Sequence, residues 1–276
     1  MSVVEKQQQE IPFSIDDYKL RTPIVESICG RPKVGKSTYA AKHPNSFVID
    51  FANVAMGLRK IELLHNPAQT EGEAYFSVAK VIPADQLDKR YRFVTTYAEF
   101  ESAIKAALVW KEEIIKTALD SGKKPGNAWL VIDDTARWRA FCVINWMKLN
   151  AGKTRKTGTK MDWPVKEEWG VISQEMNDKI NELKAHFNVV LIHRMKSDYE
   201  TGEWLSTPYP PGTDYTCPIS LELYKEDDIA SGKKKRYIKV LGCSYFDDCG
   251  DKVTTVFENP DPVNVLMQIG MPRHCF

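Results

Sequence analysis

Short apolar runs alternate with amphipathic stretches along this chain. Ile24 to Cys29 is apolar-rich and stops at Gly30, which predicts a buried strand, and residues 36–42 then open a helix. Ser46 to Asp50 (SFVID), Arg90 to Thr95, Ala128 to Asp133 (AWLVID) and Asn188 to Ile192 (NVVLI) predict four more strands. Between them lie helical periods. Phe100, Ile104, Leu108, Ile114 and Ile115 recur near the helical repeat within Tyr97 to Leu119. Thr135 to Leu149 reads as a second long helix. Val165 to Phe187 reads as a third, with Trp169, Ile172, Met176, Ile180 and Leu183 on one face. Ser121 to Gly126, residues 150–164 and Lys196 to Pro218 lack apolar periodicity and are expected as loops. Lys235 to Val240 and Lys252 to Phe257 are expected as late strands of a hairpin.

Strands alternating with helices predict an α/β fold: a mostly parallel sheet with helices on both faces and a late β-hairpin. In such sheets ligands bind where loops leave the carboxyl ends of the strands. The expected organisation is a polar lead over residues 1–20, one domain over 21–258, and a tail over 259–276.

Composition narrows the picture. The chain has 276 residues, enough for one sizeable core, with 43% hydrophobic and 27% charged residues. The net charge is +1, so any nucleic-acid binding must come from local patches. The longest apolar stretches, such as Ala140 to Ile144, are far too short to cross a bilayer. The polar start MSVVEKQQQE has no hydrophobic signal region, so a cytoplasmic protein is expected. The six cysteines form no CxxC pair, which points to free thiols rather than zinc.

The densest chemistry lies in Gly30-Arg31-Pro32-Lys33-Val34-Gly35-Lys36-Ser37, followed by Thr38. This is a complete GxxxxGK[ST] pattern between a predicted strand and a predicted helix, the context such a phosphate-binding loop requires. Chance would produce the pattern in roughly 1 in 100 chains of this length. Gly30 and Gly35 let the backbone turn and aim N–H groups at phosphate oxygens. Lys36 is expected to reach the β- and γ-phosphates of ATP, and Ser37 to offer its hydroxyl to Mg²⁺. Thr38 is a candidate near the α-phosphate. The metal needs a carboxylate, and Asp133 ends the strand AWLVID where one is expected. For Asp134 two readings stand: a base for the attacking water, or the N-cap of the helix at Thr135. Asp50, ending SFVID, is either a second carboxylate facing the γ-phosphate or a turn residue.

Taken in order, GRPKVGKST, FVID, RFVTTYAEFESAI, WLVIDD, EEWGVISQEMNDKINELK and NVVLIHR resemble the RecA-like ATPases. The nearest likeness is to the phage-type members linked to single-strand annealing recombination, over roughly residues 22–225. The resemblance implies ATP hydrolysis with Mg²⁺, and a homo-oligomer, filament or ring, with ATP at subunit interfaces. It makes His193 a candidate sensor of the γ-phosphate, with Arg194 beside it. It also implies two strand-binding loops. RecA has a glutamate shortly after its second strand; here Asp50-Phe51-Ala52-Asn53 offers none.

The first such loop, Lys148 to Lys160, carries Lys153, Arg155, Lys156 and Lys160 without an acidic residue. It can neutralise phosphates of single-stranded DNA, with Trp163 available to stack on a base, or it is simply solvated. The second, Lys196 to Pro218, is acidic and aromatic. Lys233 to Arg236 is a basic tip with three open readings: DNA contact, a solvated charge run, or a finger reaching ATP on a neighbouring subunit, with Lys234 and Arg236 the candidates. The expected function is an ATPase acting on single-stranded DNA in recombination or strand annealing. The alternative is a ring-forming helicase, translocase or packaging motor.

Overall fold

The computed structural model describes residues 23–51, 89–198, 200–207, 217–228, 232–244 and 255–271. The polar lead over 1–20, Ala52, Asn53 and the first half of the expected strand over 252–257 lie outside them.

Ten strands and five helices follow in order: β1 (Val25–Gly30), α1 (Lys36–Ala41), β2 (Ser46–Asp50), β3 (Tyr91–Phe93), α2 (Tyr97–Asp120), β4 (Trp129–Asp133), α3 (Thr135–Leu149), α4 (Lys166–Lys184), β5 (Asn188–Ile192), β6 (Arg194–Ser197), β7 (Trp204–Thr207), β8 (Ile219–Asp228), β9 (Lys233–Cys243), β10 (Val256–Glu258) and α5 (Pro262–Gln268), counted among the described residues. Eight strands form one sheet in the order β10-β9-β8-β1-β5-β4-β2-β3. Six of them, β8 through β3, run parallel. β9 and β10 are added antiparallel at one edge. The fold is α/β, as the alternating pattern predicts.

The central strands are apolar on both faces, as a sheet covered on both sides requires. Phe47, Ile49, Leu130, Ile132, Val189 and Leu191 face α2, α3 and α4, which supply Phe100, Trp138 and Ile172. Val48, Trp129, Val131, Val190 and Ile192 face α1 and α5, which supply Tyr39, Ala40, Val265 and Leu266. The segment expected as a tail thus contributes α5, capped by the Asp261 side chain accepting from the Asn264 N–H and packed against the α1 side of the sheet.

The helix starts obey local capping rules. Thr96 and Glu99 form a reciprocal capping box that opens α2. Glu168 reaches back to the Val165 N–H at 2.9 Å at the start of α4.

Three expectations needed correction. The stretch from Lys196 is not all loop: β6 and β7 pair as a two-stranded hairpin, Ser197 opposite Trp204. β8, ten residues of ISLELYKEDD, was not anticipated at all. Residues 150–164 contain a small turn closed by a Thr154–Lys160 bridge. Among the described residues no helix is long and apolar enough to cross a membrane.

Candidate nucleotide-binding site

Strand register places the candidate residues in a row along one edge of the sheet. Asp50 pairs with Asp133, Asp133 with Ile192, and Ile28 with Ile192. The carboxyl ends of β2, β4, β5 and β1 therefore lie side by side, carrying Asp50, Asp133, His193 and the loop from Gly30.

The loop is held by backbone that only glycine accepts easily. Gly35 has φ 105°, and Gly30 lies so close to β8 that a Cβ would sit 2.3 Å from the Leu223 carbonyl oxygen. Lys36 folds back over the loop, donating to the carbonyls of Gly30 at 2.7 Å and Arg31 at 3.0 Å. Burial lowers its pKa, while the nearby Asp133 carboxylate opposes that shift.

The Ser37 hydroxyl donates to a carboxylate oxygen of Asp133, 96 positions away in sequence. Asp133 is buried, and burial together with Asp50 across the strand pair pushes its pKa up to about 7, against the Ser37 hydrogen bond. Asp50 is itself buried and accepts from the Tyr91 hydroxyl at 2.5 Å. Two neighbouring buried carboxylates with one lysine nearby leave negative charge that a cation would offset. A hydroxyl beside a carboxylate is the sparse oxygen donor set that suits Mg²⁺, which keeps several waters of its own. The residues present thus fit a metal–nucleotide ligand: Ser37 and Asp133 would hold the ion, and Lys36 the phosphates.

Asp134 has both carboxylate oxygens engaged. One accepts from the Arg137 N–H at 2.9 Å, capping α3. The other accepts from Arg194 Nε at 2.5 Å. Of the two sequence readings, the cap is formed here, and the second oxygen anchors Arg194. Arg194 is 44% exposed on its side chain and close enough to Lys36 to oppose its charge. His193 is buried, with Nδ1 2.7 Å from the Thr135 hydroxyl. Burial lowers its pKa to about 3, so it stands as a neutral imidazole at physiological pH.

Sequence reasoning missed the connection between the loop and the β6–β7 hairpin. The Arg31 guanidinium lies 5.2 Å from the centre of the Trp204 ring. Trp204 and Arg31 are 173 positions apart, and nothing local in either segment signals the contact.

The basic candidates divide. Arg155 is turned inward: its guanidinium donates to both oxygens of Glu168, at 2.8 and 2.7 Å, and to the carbonyls of Lys160 and Trp163. Lys153, Lys156 and Lys160 stay exposed, as does Trp163. In the β8–β9 hairpin, Lys234 lies 3.7 Å from Asp227. Arg236 lies lower, against Gly35 of its own chain.

No family model matches the chain, and no curated protein matches it. Solved structures do resemble it. A KaiC-like protein from the hyperthermophilic archaeon Pyrococcus horikoshii OT3 is 10% identical, with 86% of this chain and 85% of that chain covered and a TM-score of 0.41. The RadB recombinase is 15% identical, with 86% and 87% covered and a TM-score of 0.37. An ATPase from the type III secretion system of pathogenic bacteria is 14% identical, with 74% and 52% covered and a TM-score of 0.41. This chain spans about half the length of that last protein. At these scores and identities, the functional reading rests on the residues of the site.

Proposed function

We propose that this protein is a Mg²⁺-dependent ATPase of RecA-like type that works on single-stranded DNA as a homo-oligomer, in recombination or strand annealing. The contact between the Ser37 hydroxyl and the Asp133 carboxylate carries the nucleotide half of the reading. It joins the last residue of the phosphate-binding pattern to the acidic end of a strand that is not β1's neighbour, since β5 lies between them.

Lys36 exchanges its bonds to the Gly30 and Arg31 carbonyls for phosphate oxygens when nucleotide enters. Ser37 and Asp133 would hold the ion, which when bound would neutralise phosphate charge and polarise the phosphoryl group. Asp50 keeps the pocket acidic through Asp133, and Tyr91 fixes Asp50. His193 presents a neutral ring at the end of β5, tied to Thr135 at the start of α3. A charge change near Asp133 is thereby passed to the element that ends in the basic loop. Arg194, held by Asp134, lies close enough to Lys36 to act on the same phosphates.

The DNA half is supported by Lys153, Lys156 and Lys160, exposed with Trp163 on the loop between α3 and α4. ATP turnover measured with and without single-stranded DNA, wild type beside Lys36→Ala, tests both halves. Stimulation by single strands that vanishes in Lys36→Ala supports the proposal. Turnover indifferent to every nucleic acid removes the DNA half, and absence of turnover removes the whole.

A further inference from the structure

A cationic pair of the β8–β9 hairpin, Lys225 and Arg236, lies beside the Gly30–Ser37 loop of its own chain. β8 pairs in parallel with β1 from Glu26–Ile219 to Gly30–Leu223, so the two strands leave the sheet together. β8 then runs five residues further, to Asp228, alongside the loop that β1 feeds. Side chains alternate across a strand. On the α1 side of the sheet, Leu221 and Leu223 face the core, and Val240 and Ile238 lie opposite them on β9. The next pair up on that face is Lys225 opposite Arg236. The apolar ladder therefore ends and a cationic pair begins at the height of the phosphate loop.

Two contacts fix this pair on the loop. Lys225 Nζ donates to the Lys33 carbonyl at 2.6 Å. A Cβ placed on Gly35 would lie 3.4 Å from both Nε and the central carbon of the Arg236 guanidinium. Arg236 is solvent-exposed. Leu223 presses against Gly30, so the base of the hairpin cannot withdraw without breaking the β1–β8 ladder. Arg31, Lys33, Lys36, Lys225 and Arg236 thus gather at one six-residue turn, while the next carboxylate on that face of β8, Asp227, lies 3.7 Å from Lys234. This concentration of positive charge is the complement of a polyphosphate, not of a neutral ligand.

We propose that Arg236 is a phosphate ligand acting in cis, on nucleotide held by the Lys36 loop of the same chain. This departs from a finger donated to a neighbouring subunit, and it rests on the nucleotide-binding reading given above. The guanidinium suits the role because its planar fork makes two hydrogen bonds to phosphate oxygens, which lysine does not reproduce.

The experiment titrates a fluorescent ATP analogue, with Mg²⁺, against wild type, Arg236→Ala and Arg236→Lys. Binding is then repeated on an equal mixture of Arg236→Ala with Lys36→Ala, and turnover is followed in parallel. A cis ligand predicts that Arg236→Ala weakens binding about tenfold to a hundredfold. It predicts partial recovery in Arg236→Lys and no gain in the mixture beyond the sum of its parts. Recovery of binding and turnover in the mixture would overturn the proposal, because only a trans finger lets an intact Arg236 serve a neighbour's intact loop. Unchanged binding in Arg236→Ala would overturn it alone, leaving nucleotide binding standing. Wild type that binds no analogue would overturn both readings together.

Discussion

Helix α1 ends in two buried polar clusters, and they differ in kind. At its start, Ser37 meets Asp133, with Asp50 behind and Lys36 alongside, and the hydroxyl and amine remain partly exposed. At its end, His43 faces Glu26 at 3.1 Å, both side chains fully buried. His43 Nδ1 lies 2.8 Å from the Ala40 carbonyl, and its ring packs on Trp129 at 4.2 Å and edge-on against Tyr39 at 5.5 Å. The second cluster is closed to solvent: acid and imidazole lie at ion-pair distance inside a ring of aromatic side chains, and both Glu26 oxygens, His43 Nε2, the Tyr39 hydroxyl and Trp129 Nε1 are buried without a hydrogen bond. The first is open: two carboxylates lie beside one lysine, and burial, with the Asp50 charge adding to it, keeps the proton on Asp133 up to about pH 7. The buried pair packs the end of the helix against Trp129, whereas the cluster at the mouth of the glycine loop stays partly open to solvent. One short helix, Lys36–Ala41, joins anchor and site.

The largest expected effect falls on the closed cluster. Glu26→Ala removes a fully buried side chain packed against His43 and should cost about 3–5 kcal/mol of stability by urea unfolding. Turnover per folded molecule should persist. Loss of turnover while the variant remains folded would show that the two ends of α1 are not separable.

Next comes the open cluster, where Lys36→Ala should reduce ATP turnover on the order of a hundredfold or more. Its unfolding midpoint should fall by less than in the buried-pair variant, because Lys36 gives up two hydrogen bonds to its own loop and the charge it sets near Asp133.

Asp133→Asn sharpens the contrast through pH. In the fold Asp133 keeps its proton to about pH 7, whereas the unfolded chain releases it near 3.8. Between those values the folded state binds more protons, so this group makes metal-free stability fall as pH rises toward 7. The Asn variant lacks that slope. Without metal it should melt above wild type at pH 8 and lose that advantage near pH 4. A variant that melts lower than wild type at pH 8 would mean the Asp133 charge is already compensated.

The smallest effect concerns the basic loop. Replacing Lys153, Lys156 and Lys160 together by Gln should lower the salt dependence of single-strand binding by a slope of about 2. Nucleotide affinity should stay as in wild type.

That the Gly30–Ser37 loop and Asp133 meet at one edge of the sheet was readable in the sequence because each carries a local signature: fixed spacing in GRPKVGKS, and an acid closing the apolar run WLVID. The central strands were readable for the same reason, being short apolar runs between helical periods. β8 was missed although Ile219, Leu221 and Leu223 alternate with polar residues, since its second half, Tyr224 to Asp228, reads as a charged loop. That half is a strand because β9 pairs with it through Lys233 to Tyr237, a long-range fact. Arg155 shows the same limit. As a basic residue in a polar stretch it looked free for DNA, but Glu168, thirteen positions later, takes its fork. Charge composition locates a patch; pairing decides which of its members remain available. Arg236 was legible as a cation on a turn, but its distance from Gly35 is set by the β1–β8 register, which no local pattern encodes.

The central claim is that Ser37 and Asp133 form a metal–nucleotide site with Lys36. Calorimetric titration of ATP, with Mg²⁺ and with chelator, against wild type, Asp133→Asn and Lys36→Ala tests it most directly. The account predicts tighter binding with Mg²⁺ in wild type, loss of that difference in Asp133→Asn, and loss of binding in Lys36→Ala. Equal affinity with and without Mg²⁺ in wild type, or full binding by Lys36→Ala, would contradict it.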